Sequence, residues 1–373
     1  MRRAIVHIGM PRTGSTSFQE VMARLRPQLA SVGICYPNLA RPGSSGGDDV
    51  NHYRLGQALD RRSTAAERRE ALARLDAVLT ATPADTVLLS YEDFAVQRPL
   101  WRVPEILADL FARRGFALEV ALVVKPQGEQ LASAYALRAQ VVAEGRTFRG
   151  FLRSEGASGR YDYAARLEPW RRASAGRVTA VPFRDRRSDA PLLKRLVDGL
   201  GLGGRLAPLM VPADLAYRTN RSSGPVAVEA SRRLYRLGVH RQVTGHRRLL
   251  GHVVDDWAWA RGLDAERFRG DAPDGLARVA ARSAASNARF AAACWGAAWD
   301  AIVAPAPAAP PNELAAGPIP PETEALVEQL VRAAAAQAAF RSPPAWRRRT
   351  AHILEEGKAR LGEALGYPVW RVP

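Results

Sequence analysis

The stretch "VHIGMPRTGSTSFQ" (Val6–Gln19) decides how the rest of the chain is read. The apolar run Ala4–Ile8 predicts a buried strand and Gly9–Ser15 a turn. A helix follows, with Phe18, Val21, Met22, Leu25 and Leu29 on one face. Gly9 and Gly14 frame four residues, and Ser15 and Thr16 come next. This is the phosphate loop G-x-x-x-x-G-K-[ST] with serine where the lysine belongs. In nucleoside-triphosphatases that lysine neutralises the β- and γ-phosphates together with magnesium. A loop without it suits a ligand carrying less negative charge at that spot, held by backbone amides, a helix N-terminus and one cation. Arg12, placed before the second glycine, is the available cation.

Four more strands are expected at Gly33–Tyr36, Thr86–Ser90, Leu118–Val124 and Val178–Phe183. Between them, Thr64 and Glu67 form a capping-box pair opening a helix with Leu72, Leu75 and Leu79 inward, and another helix spans Val103–Arg114. Pro27 ends or kinks the first helix, and Pro37–Asn51 reads as a mobile loop. Apolar strands alternating with helices imply an α/β fold, a P-loop-type parallel sheet flanked by helices on both faces. The pattern turns helical beyond about Pro191, giving the fold a helical C-terminal part. The expected division is an α/β domain over 1–304, a Pro/Ala-rich linker over 305–322 containing "PAPAAPP", and a helical extension over 323–373. Helices are expected there at Thr323–Phe340 and Ala351–Leu365. Ligands in such folds sit beyond the carboxyl ends of the strands, which singles out Arg12–Ser17, His52, Glu92, Lys125 and Arg184.

The 373 residues carry a formal charge of +17, yet only three lysines, Lys125, Lys194 and Lys358. The arginines are scattered and few aromatics stand between them as stacking platforms, which argues against dedicated nucleic-acid binding. A positive surface that attracts anionic small molecules or acidic glycans fits better. Cys35 and Cys294, far apart, make neither a disulfide framework nor a zinc site, and they fit a reducing cytoplasm. No stretch approaches the apolar length of a membrane span, and no signal peptide is seen at the N-terminus. The Asp48-Asp49 pair lacks further ligands at a useful spacing and reads as a solvated loop; His7, inside the first strand, reads as a packed structural residue.

Pro11-Arg12-Thr13-Gly14-Ser15-Thr16 resembles the "P-K-[ST]-G-[ST]-[ST]" loop of the sulfotransferases that use 3′-phosphoadenosine-5′-phosphosulfate (PAPS), with arginine for lysine. "HIGMPRTGSTSFQ" is especially similar to the bacterial members. In that family a basic residue ends a strand and a serine follows eight residues later. "VVKPQGEQLASAY" has Lys125 and Ser133 at that spacing, with lysine for the usual arginine, so charge remains while bidentate binding is lost. Weaker similarity runs through Tyr161–Phe183 and Ser286–Gly296.

The resemblance implies transfer of a sulfuryl group from PAPS to a hydroxyl or amine of a small-molecule or glycan acceptor, with no metal required. It implies that Arg12, Thr13, Gly14, Ser15, Thr16 and Ser17 hold the 5′-phosphosulfate. Lys125 and Ser133 would hold the 3′-phosphate, and Arg221 in "TNRSSG" would close over it. Related enzymes use a glutamate or histidine base after the second or third strand; Glu92 is the first choice, His52 the rival, and Asp93 a group that orients either. Two other classes stay open: a degenerate P-loop nucleotide kinase or nucleoside-triphosphatase, with Asp93 as its magnesium ligand, and a non-catalytic sulfotransferase-like binding protein.

Overall fold

The computed structural model describes residues 2–40, 50–60, 63–97, 99–216, 222–241, 247–270, 272–307 and 309–340. Five strands form one all-parallel sheet: β1 (Arg2–His7), β2 (Ile34–Cys35), β3 (Thr86–Ser90), β4 (Phe116–Val124) and β5 (Val178–Pro182), in the order β2-β3-β1-β4-β5. All five fall where the apolar runs placed them. β1 lies at the centre, and the chain crosses from β3 on one side of it to β4 on the other. The loops after β1, β3 and β4 therefore emerge side by side at the carboxyl edge, the place where such sheets bind ligands.

Parallel pairing fixes which side chains meet. His7 of β1 lies opposite Ser90 of β3, and Ile5 opposite Leu88. Side chains alternate along a strand, so Ile5 and His7 share a face with Leu88 and Ser90. On that face Ile5 and Leu88 join a buried cluster with Phe18, Val21 and Met22 of α1 (Ser15–Arg24) and Leu29 of α2 (Arg26–Ser31). The junction between α1 and α2 falls at Leu25, and Pro27 sits in the first turn of α2, where its missing N–H costs nothing.

After β2 come α3 (Tyr53–Leu59) and α4 (Ala65–Ala81), the latter opened by the expected Thr64–Glu67 capping box. α5 (Val103–Arg113) precedes β4 and packs against it. α6 (Gln127–Gln140) and α7 (Phe148–Glu155) follow β4, and α8 (Tyr163–Ala173) packs against α5. Beyond β5, the segment α9 (Leu192–Gly199) places Leu193, Leu196 and Val197 in the same cluster as α1. The short helices α10 (Gly203–Leu206) and α11 (Pro212–Ala216) lead to α12 (Pro225–Arg236), α13 (Arg247–Ala260), α14 (Pro273–Trp295), α15 (Trp299–Ile302) and α16 (Pro321–Phe340). The expected second C-terminal helix, Ala351–Leu365, lies outside the described residues.

The chain folds as two compact units rather than along the linear boundaries at 304 and 322. The first comprises Met1–Gln130, Ser158–Arg221 and Arg278–Pro307; the second comprises Leu131–Ala157, Ser222–Ala277 and Ala308–Pro373. The reason is packing. α16 has no separate core of its own: Val327, Leu330, Val331 and Ala334 are buried with Val226, Ala230 and Leu234 of α12 and with Leu250 and Val254 of α13. Gly251 permits the close approach inside this unit, since a Cβ there would stand 1.2 Å from the carbonyl oxygen of Gln140. Among the described residues no helix is long and apolar enough to cross a membrane.

Candidate functional site

The loop after β1 is held open by backbone conformations that ordinary residues avoid. Gly9, Arg12 and Gly14 all have positive φ, at 60°, 69° and 87°. Arg12 is not a glycine, so its left-handed conformation is a cost the surrounding contacts must hold in place. Three such contacts exist. The Thr13 hydroxyl donates to the Met10 carbonyl at 2.6 Å, the Gln130 amide donates to the Pro11 carbonyl, and Lys125 Nζ donates to the Arg12 carbonyl at 2.9 Å. Gly9 packs against Glu92 so closely that a Cβ would stand 2.6 Å from the Glu92 Cα.

Gly14 caps α1 with no side-chain hydrogen bond, and no acid occupies the first turn of the helix. The first bond down the helix runs from Phe18 N to Gly14 O at 3.4 Å. A helix start leaves its leading amides aimed outward, with the positive end of the peptide dipoles behind them. Ser15 adds a second feature: it is 5% exposed, and its Oγ has no hydrogen-bond partner among the described residues. Thr16 and Ser17 are half-buried on the same turn.

Lys125 follows the last residue of β4 and is only 4% exposed. Its ammonium lies 5.5 Å from the centre of the Phe183 ring, and its own carbonyl accepts a hydrogen bond from Tyr163 Oη at 2.7 Å. Thus the loop that lacks a lysine in sequence has one bonded to it in space, delivered from the neighbouring strand. Spacing along the chain does not reveal this contact, because it depends on β4 lying beside β1. Arg184, just beyond β5, is committed elsewhere: it pairs with Glu129 and donates to the Pro305 carbonyl.

Glu92 opens a 3₁₀ turn (Glu92–Val96) directly after β3. Burial pushes its carboxyl above the ordinary carboxylate range and the neighbouring Asp93 adds to the rise, while the Gln19 amide and Arg12 pull it back. Asp93 is engaged by the Tyr91 hydroxyl at 3.2 Å, and Arg160 stands 4.0 Å away.

His52 is also brought to the end of β3, but it is tied at both ring nitrogens. Nδ1 accepts from Ser90 N at 2.9 Å, and Nε2 faces the Pro37 carbonyl at 3.0 Å. With Nδ1 an acceptor, the hydrogen sits on Nε2 and donates to Pro37. Burial lowers its pKa to about 4, so the ring is neutral near pH 7, and Tyr36 packs edge-on to it at 4.8 Å.

The first unit therefore gathers Arg12–Ser17, Lys125, Glu92 and His52. Ser133 lies on α6 in the part belonging to the second unit, half-buried. Arg221 and the Asp48-Asp49 pair lie outside the described residues. Among the described residues no group of three or more His, Cys, Asp or Glu side chains is arranged to hold a metal ion. Sequence reasoning missed Gln19 and Ser90, which contact each other and border Glu92. The signal available for Gln19 was a polar residue directly after Phe18, at the edge of the apolar face of α1. No family model, no curated protein and no solved structure matches the chain.

Proposed function

We propose that the chain is a PAPS-dependent sulfotransferase that moves a sulfuryl group to a hydroxyl or amine of an acceptor, a saccharide or glycolipid. One observation carries the reading. The uncapped start of α1, with Ser15 Oγ buried and unpartnered beside it, is a cradle for an anion. Its charge is supplied by Arg12 and Lys125 rather than by a loop lysine. Such a cradle suits a single phosphate ester bearing a sulfuryl group.

PAPS supplies the activated sulfuryl group and a bisphosphate leaving group. The chain's residues would do the rest. The amides of Gly14 to Ser17 and the Ser15 and Thr16 hydroxyls bind the 5′-phosphosulfate, and Arg12 offsets the charge that grows on the leaving phosphate. Glu92 takes the proton of the attacking hydroxyl, because its carboxyl is the one beside the loop whose affinity for protons is raised. His52 holds the turn after β3, since both of its nitrogens are bonded to backbone. Lys125, bonded to the loop, remains the first unit's assignment for the 3′-phosphate. The missing loop lysine weighs against a nucleoside-triphosphatase.

Calorimetric titration with adenosine 3′,5′-bisphosphate, alongside ADP and ATP with magnesium, tests the proposal. Tight, metal-independent binding of the bisphosphate is expected, weakened at least tenfold by Lys125→Ala, which removes a buried charge contact of about 1.4 kcal/mol or more. Binding of ATP with magnesium alone would overturn it. Bound bisphosphate with no turnover over a panel of acceptors, unchanged by Glu92→Gln, would point to a non-catalytic binding protein.

A further inference from the structure

Four polar residues with no role so far form a hydrogen-bond chain that ends on Glu92. Gln19, 1% exposed on α1, directs Nε2 to Ser90 Oγ and to Glu92 Oε2, both at 3.1 Å. Its Oε1 accepts from Asn51 Nδ2 at 3.3 Å. Ser90 Oγ meets His7 Nδ1 at 2.8 Å. Building on the reading of Glu92 as the base, we propose that Gln19 is the positioning residue of the site, holding Glu92 Oε2 and so fixing where the carboxylate faces.

The directions of these bonds are mutually consistent. A reversed Gln19 amide would set its oxygen against the carboxylate and its N–H groups against those of Asn51, so Asn51 locks the productive orientation. The Ser90 oxygen accepts from Gln19 and also bonds His7 Nδ1, which carries the chain on to His7. His7 is fully buried with its pKa lowered to about 4 by desolvation, so the chain ends on a neutral ring that does not compete as a cation. The register of β1 against β3 places His7 and Ser90 together, and the packing of Phe18 edge-on to His7 at 5.1 Å brings the next residue, Gln19, to them.

The charged and titratable groups around Glu92 come from several elements. Asp93 stands on its own turn, Arg12 on the loop, His7 on β1, and Tyr36 just after β2; His52 reaches the end of β3. Gln19 is the uncharged donor among them, and donation to a carboxylate favours its ionised form.

The test follows the Glu92 carboxyl by carbon NMR against pH in the full chain labelled with ¹³C-glutamate, the resonance being assigned with Glu92→Gln. In Gln19→Met, which keeps length but loses the donor, the Glu92 midpoint is expected to move to higher pH. An unchanged midpoint overturns the proposal. Should Gln19→Met fail to fold, Asn51→Ala decides: it keeps Gln19 but frees its amide to turn, so the same upward movement, smaller, is expected, and none overturns the proposal. Bisphosphate calorimetry on the unaltered chain is run beside these titrations. Absent binding there removes the sulfotransferase reading, while the Glu92 midpoint still decides whether Gln19 holds the carboxylate.

Discussion

The carboxylates of the two units are treated in opposite ways. In the second unit Glu144 is 3% exposed, and burial alone would raise its pKa. Arg146 binds it at 2.7 Å and Arg138 stands 3.6 Å away, and together they hold it below the ordinary carboxylate range. In the same unit Glu229, 2% exposed, is held by Arg232 at 2.8 Å and Arg233 at 2.7 Å. In the first unit Glu92 has a neutral amide for its donor, an acid for its neighbour, and a raised affinity for protons. The contrast separates two uses of a buried acid. A carboxylate clamped between guanidinium groups is locked as a charge and organises its surroundings. One held by an amide keeps a pKa that can move toward the working pH, which proton transfer requires.

The comparison can be pressed hardest with acid. His7 and His52 are buried neutral, with pKa values of about 4 against an ordinary 6.5. Their folded form binds fewer protons than the unfolded chain between those values. Stability is therefore full above about 6.5 and falls as pH drops toward 4, by about 1.4 kcal/mol per pH unit for each imidazole. Glu144, with its lowered pKa, adds a loss as pH falls from its ordinary 4.5 through its folded value. Glu92 works in the other direction, since its protonated form is favoured by the fold. Urea melts at stepped pH are expected to show a steep loss below 6.5, made shallower in His52→Asn; a flat profile would break the assignment of neutral rings.

Next comes Glu229→Ala, which strands the buried Arg232 without its carboxylate and should cost about 3–5 kcal/mol in urea denaturation. Gly9→Ala combines a left-handed backbone with a Cβ pressed on Glu92, and should lower stability by about 2–3 kcal/mol while abolishing bisphosphate binding. The mildest is Thr64→Ala, which opens an exposed capping box on α4 and should cost about 1 kcal/mol without affecting ligand binding. Equal losses of binding from Gly9→Ala and Thr64→Ala would blur the line drawn between site and scaffold.

What could be read from the chain follows from how far apart the partners lie in it. The strands, the capping box and the loop were legible because each is a local pattern of apolar spacing, turn residues or a cap. Glu92 was legible as a strand-end residue, but its raised pKa was not, since the burial that raises it and the Gln19 bond that opposes the rise arise only in the folded chain. The clamp of Lys125 on the Arg12 carbonyl joins positions 113 apart and depends on strand order. His52 shows the limit in the other direction: a loop histidine by sequence, it is bound on both nitrogens once β3 passes beside it. The boundary at 304 followed a run of prolines and alanines, whereas the units are defined by which helices share a core.

That interleaving governs the order in which the chain can fold during synthesis. Each unit collects three separate stretches, and neither is complete until residues near Pro307 and beyond have been made. β1 to β4 can pair early, but the second unit must wait for α16 to fill the space between α12 and α13. A nascent chain paused after Ala304 would leave Val226, Leu234 and Val254 without the α16 side chains that share their core, an aggregation hazard of the kind chaperones intercept. The proline-rich stretch thus leads to a helix that the second core needs.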